Sequence, residues 1–128
     1  MKGIRVSESP LLLAVSEIGG YPNFTELYQK LGFEVITETS MRKVLKLLKK
    51  KVPTVIVAEF NYQSDFRDRT SSLESMMSVV QRHSGIRVII FYDKEHESQL
   101  AKLQARYDIA ESLSFPITEE KLSEAVKA

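Results

Sequence analysis

The stretch Val52-Pro53-Thr54-Val55-Ile56-Val57-Ala58-Glu59-Phe60 restricts the fold more than any other part of the chain. Its β-branched residues follow one another without polar alternation. Only a strand covered on both faces tolerates that pattern, and such strands belong to parallel sheets flanked by helices. The apolar run, entered by a proline, stops at Glu59. In open α/β sheets the C-terminal strand ends border the crevice where ligands sit, so this strand is expected to deliver a carboxylate there.

The rest of the chain repeats the alternation of strand and helix. Residues 11–15 (Leu-Leu-Leu-Ala-Val) form a first apolar run, followed by Ser16-Glu17 and the Gly19-Gly20 loop. Residues 1–9 are a short tail or an extra edge strand. Asn23 is an N-cap type ahead of Phe24, Leu27, Tyr28 and Leu31 at helical spacing, and Gly32 fits the C′ position. A mixed edge strand follows over residues 33–37. Ser40 then caps a helix with Met41, Val44, Leu45 and Leu48 inward, and Lys49-Lys50-Lys51 complements the negative end of its dipole. After the stretch 52–60 and a polar loop over 61–72, helix three spans about 73–83, with Leu73, Met76, Met77 and Val80 buried. Residues 86–91 form a buried fourth strand ending at Tyr92-Asp93. Leu100, Leu103 and Tyr107 mark helix four, residues 109–115 a weaker strand five, and Thr118-Glu119-Glu120 a helix start with Leu122 and Val126 inward.

Five such units predict a single α/β domain: a doubly wound, five-stranded parallel sheet of flavodoxin-like order 2-1-3-4-5. A chain of 128 residues suits one core. A formal net charge of +1 exerts no global pull on DNA or membrane. The absence of cysteine removes disulfides, thiolate catalysis and the common zinc sites. No apolar run reaches the length of a signal-peptide core or membrane span, so a cytoplasmic location is expected. In this fold the ends of strands one, three and four share one crevice, where Ser16, Glu17, Glu59 and Tyr92 should converge.

Across nearly its whole length the chain resembles response-regulator receiver domains. The resemblance rests on Lys30-Leu31-Gly32-Phe33-Glu34-Val35, on the proline-led strand from Val52 to Glu59, on Ile86 through Tyr92, and on Phe115-Pro116-Ile117 with Glu119-Glu120-Lys121-Leu122. In that family an aspartate takes the phosphoryl group and acidic residues after strand one hold magnesium. A Ser/Thr after strand four and a Lys before the strand-five proline contact the phosphoryl oxygens. This chain departs at each: Glu59 stands at the phosphoacceptor, Ser16 and Glu17 at the acidic pair, Tyr92 at the hydroxyl and Phe115 at the lysine. The extra methylene of Glu59 displaces its oxygens by about 1.5 Å, enough to damage in-line transfer. A serine in place of a carboxylate leaves at most weak Mg²⁺ binding. Loss of the lysine removes the cation that would stabilise an added phosphate.

The resemblance therefore implies a degenerate, non-enzymatic pseudo-receiver without a cofactor: a stand-alone module acting through a protein partner in two-component signalling or as a homodimer. Two readings of Glu59 stand: a permanent imitation of phosphoaspartate, or a structural remnant at the strand end. In receivers the surface of helix four, strand five and helix five docks partners, which points to Lys102, Arg106, Tyr107 and Lys121. Tyr92 is the natural conformational reporter. The alternatives are an atypical phosphoacceptor and a small nucleotide-binding or enzymatic module using the same crevice.

Other signals carry less. Gly19-Gly20 lacks the spacing of a phosphate-binding fingerprint and reads as a turn. The basic run Arg42, Lys43, Lys46, Lys49, Lys50 and Lys51 reads as a solvated face. His83 and His96 lack ligand spacing. The 61–72 loop, with Asp65, Arg67, Asp68 and Arg69, is either a recognition element or a mobile segment.

Overall fold

The computed structural model describes residues 10–17, 20–60 and 73–127. Within them the element order is β1 (Leu11–Val15), α1 (Thr25–Lys30), β2 (Glu34–Glu38), α2 (Met41–Leu48), β3 (Val55–Glu59), α3 (Leu73–Val80), β4 (Arg87–Tyr92), α4 (Glu97–Arg106), β5 (Glu111–Ser114) and α5 (Glu119–Lys127). One sheet of order β2-β1-β3-β4-β5 results, with every neighbouring pair parallel. This is the expected doubly wound arrangement. The tail or edge strand over residues 1–9, Gly19, and the 61–72 loop lie outside the described residues.

The burial gradient explains the sequence texture. β3 is buried at every position and β4 at every position after Arg87, whereas the edge strands β2 and β5 have no fully buried residue. Central parallel strands are covered on both faces and so lose polar alternation. Because successive side chains point to opposite faces, each central strand feeds two cores. Val15, Ile56, Ala58, Ile90 and Tyr92 enter a core shared with α2, α3 and α4. Leu12, Val55, Val57, Ile89 and Phe91 enter the other, against Phe24 and Tyr28 of the α1 segment and Leu122 and Val126 of α5.

Local signals behave as their chemistry demands. Gly32 closes α1 at φ 99°, with open space where a Cβ would stand, so its requirement is conformational. Ser40 Oγ accepts a long 3.4 Å hydrogen bond from the Lys43 amide, and Thr118 Oγ1 accepts one of 3.2 Å from the Lys121 amide. Asn23 sits two residues ahead of the first helical residue, where its Oδ1 accepts from the Thr25 amide at 2.9 Å and from the Thr25 hydroxyl at 2.6 Å. The inward residues expected for α3 are all buried.

Several details differ from the sequence expectation, and strands two, four and five run over 34–38, 87–92 and 111–114 rather than 33–37, 86–91 and 109–115. Val52 is 55% exposed and the third strand starts only at Val55, because β1 first pairs with it there (Leu12 opposite Val55). Helix three stops at Val80, and residues 81–83 continue as a turn in which the Arg82 and His83 amides donate to Val79 and Val80 carbonyls. On α2, Leu47 rather than the expected Leu45 joins Met41, Val44 and Leu48 against the core, and Leu45 is only half-buried. Among the described residues, no helix is long and apolar enough to cross a membrane.

Candidate functional site

The crevice is built by strand parity. β3 and β4 pair so that Glu59 stands opposite Phe91, and neighbours in a parallel ladder share a face. The alternation that sends Val57 and Ile89 toward α1 and α5 therefore sends Glu59 and Phe91 there too. Ser16, one residue beyond β1, follows the same parity as Leu12 and Ala14. Its hydroxyl donates to Glu59 Oε2 at 2.9 Å. Glu59 is only 5% exposed, the one charged residue among the described residues that is fully buried. A carboxylate in that position needs hydrogen-bond donors to remain folded at modest cost.

Above this pair lies a cavity of about 130 Å³ bordered by Ser16, Tyr21, Asn23, Thr37, Glu59 and Phe91. Its wall is aromatic. The Tyr21 ring centroid lies 5.6 Å from that of Phe91 and 5.7 Å, edge-on, from that of Phe115, and Phe24 meets Phe91 edge-on at 5.9 Å. Burial pushes the Tyr21 phenol up to about 12, helped by the negative charges of Asp93 and Glu59. The Tyr28 phenol, more deeply buried, is raised further by the same desolvation.

These shifts predict a pH dependence of definite sign. Tyr21 keeps its proton in the folded state where an unfolded tyrosine, near 10, gives it up. Its contribution to stability is thus complete below pH 10 and is lost as pH rises from 10 toward 12. Ultraviolet titration of tyrosinate should show one phenol fewer ionising near 10 in wild type than in Tyr21→Phe with one added ordinary tyrosine. The expectation fails if the Tyr21 signal titrates near 10.

The residues expected to converge are divided. Ser16 and Glu59 meet. Glu17 is half-buried and does not border the cavity. Tyr92 packs into the opposite core beside Leu100 and Leu103, because one step along β4 reverses the face. Phe91 takes the place at the crevice assigned to Tyr92. Phe115 is 47% exposed and sits at the rim, where it touches Tyr21. Tyr21 lies outside the residues expected at the crevice, although an aromatic directly after Gly20 in the β1–α1 loop is a usable signal for a crevice wall.

The residues expected as a docking face are also split. Arg106 makes a 3.3 Å ion pair with Glu74 on α3 and lies 5.4 Å over the Tyr107 ring. Lys121 instead borders the groove between β5 and α5. Lys102 is exposed one turn before Arg106. Of the four, Arg106 is thereby directed toward α3 and Lys121 toward β5.

The oxygen donors at the crevice do not match a magnesium cage. The Ser16 hydroxyl directs its proton at Glu59 rather than a lone pair at a shared point. No group of three or more His, Cys, Asp or Glu side chains assembles among the described residues. Mg²⁺ requires near-octahedral oxygen geometry.

No protein-family model and no curated protein matches the chain. Solved structures do. A response regulator receiver domain protein from Clostridium thermocellum superposes with a TM-score of 0.73 at 17% identity, over 92% of this chain and 91% of that one. The signal receiver domain of an HD domain-containing protein from Pseudomonas fluorescens Pf-5 gives 0.74 at 14% identity, over 94% and 93%. A CheY-like receiver domain from Methylobacillus flagellatus gives 0.68 at 15% identity, over 94% and 98%. The fold is that of receiver domains. In the receiver-like frame the crevice described above lies at the ends of β1, β3 and β4, with Glu59 closing β3.

Proposed function

We propose that the chain is a non-catalytic, receiver-like signalling module that works in the cytoplasm by contact with a protein partner, without aspartyl phosphorylation. The observation that carries this reading is the closed Ser16–Glu59 pair, in which Glu59 is 5% exposed and walled by Tyr21 and Phe91. A nucleophile for phosphoryl transfer must approach its donor in line and have cations beside the developing charge. Here the strand-end carboxylate accepts a hydrogen bond under an aromatic wall. Tyr92, at the position of the reporting hydroxyl, is packed in a core, and Phe115 replaces the expected cation.

The cavity also argues against the nucleotide-binding alternative. At about 130 Å³ it falls below the roughly 300–1,000 Å³ of sites for cofactor-sized molecules. Between the two readings of Glu59, the structural one has more support: the hydrogen bond from Ser16 fixes the carboxylate inside the fold rather than displaying it to a partner.

The test is titration of labelled protein with Mg²⁺ and beryllofluoride, followed by amide chemical shifts. No saturable shift is expected at Ser16, Glu59 or Tyr92. Saturable shifts centred on Glu59 would overturn the reading and restore an atypical phosphoacceptor. For the partner face, Lys102→Glu is a cleaner probe than Arg106, whose charge is already directed at Glu74.

A further inference from the structure

Each open edge of the sheet is bordered by a groove, and the two grooves carry opposite charge. Between β2 and α2 the groove measures about 300 Å³ and is lined by Glu38, Lys43, Lys46, Leu47 and Lys50. Between β5 and α5 it measures about 380 Å³ and is lined by Glu111, Leu113, Lys121, Glu124 and Ala125. Each has an aliphatic element, Leu47 in one and Leu113 with Ala125 in the other. Three lysines against one glutamate leave the first at +2; two glutamates against one lysine leave the second at −1. Arg42, Lys49 and Lys51 extend the basic side, and Glu119 and Glu120 extend the acidic one, all exposed. None of these lysines takes part in an ion pair among the described residues.

The strand order places these grooves at opposite ends of the molecule. The helices that border them also cover opposite faces, since α2 packs into one core and α5 into the other. A chain with a net charge of only +1 thus carries opposite charge in its two edge grooves. Near-zero net charge offers little long-range repulsion between copies, while complementary ends orient their encounter.

We propose that the basic β2–α2 groove receives the acidic β5–α5 edge of a second copy of this chain. The two surfaces differ, so the contact is heterologous: each added copy leaves one free groove at either end, and association is open-ended rather than stopping at a symmetric dimer. Charge supplies orientation and Leu47 with Leu113 the apolar contact. The acidic partner is the chain itself because its own far edge carries the complementary charge and an apolar element of matching kind.

Sedimentation velocity on the full chain tests this. Wild type should sediment faster with rising protein concentration at about 0.01 M salt, where charges act over about 30 Å, and return to monomer at about 0.3 M, where screening is far shorter. Lys46→Glu with Lys50→Glu, and separately Glu111→Lys with Glu124→Lys, should each weaken self-association by on the order of tenfold or more. All four positions are exposed, and circular dichroism checks that the fold is retained. Mixed together, the two variants present complementary grooves again and should recover association. A wild type that stays monomeric at low salt overturns the proposal. So do variants that still associate alone, or a mixture that does not.

Discussion

Phe91→Ala is expected to lower stability by about 3–5 kcal/mol, a large part of the roughly 5–15 kcal/mol that a domain of this kind holds in reserve. Phe91 is 4% exposed in the core against α1 and α5 and meets both Tyr21 and Phe24. Removing the ring deletes apolar contact and leaves a void that a strand buried on both faces cannot collapse to fill. Urea denaturation should show a lower midpoint with an unchanged slope, the sign of lost stability without an altered unfolded state. The same substitution should let water reach Tyr21 and bring its phenol back down toward 10. A stability within about 1 kcal/mol of wild type would show that the aromatic wall is not part of the packed core.

Ser16→Ala is the second large effect, with an expected loss of about 1–3 kcal/mol. The substitution removes a hydrogen-bond donor from a buried carboxylate, and bonds to a charged acceptor are stronger than neutral ones. A cycle of Ser16→Ala, Glu59→Ala and the double variant isolates that interaction, because the two residues lie 43 positions apart in sequence and meet only through the fold. A coupling of at least about 0.5 kcal/mol is expected. Strict additivity would mean that Glu59 gains nothing from Ser16, and the closed pair would cease to support a non-catalytic crevice.

Much of the architecture was legible in the residues. The runs at Val55–Glu59 and Arg87–Tyr92 announced central parallel strands, and the inward stripes of α3, α4 and α5 were readable because helical spacing is a local property. Glu59 and Ser16 meet at the strand ends, as the position of both at C-terminal strand ends implies. What could not be read was the relation between strands. Whether Phe91 or Tyr92 faces the crevice depends on which of them stands opposite Glu59, and that is set by pairing register. Nor does the sequence reveal that the exposed Arg106 pairs with Glu74, which is 32 residues away on another helix. An exposed pair of this kind contributes about 0–1 kcal/mol, too little to leave a trace in composition or spacing. Val52 misled for the opposite reason: its side chain fits a buried strand, but the partner strand begins pairing only at Val55.

Phe91 and Tyr92 are neighbours in sequence, yet each is committed to a different helical layer, and the next residue is the exposed Asp93. A slip of β4 by one position would swap the two layers' anchors and drag a carboxylate into the space of a buried ring. Misalignment at this strand is thus penalised twice over, once for mismatched shape and once for stranded charge. The pair of rings acts as a proofreading stop: the chain can settle against β3 in one alignment, and both sides of the sheet verify it at once.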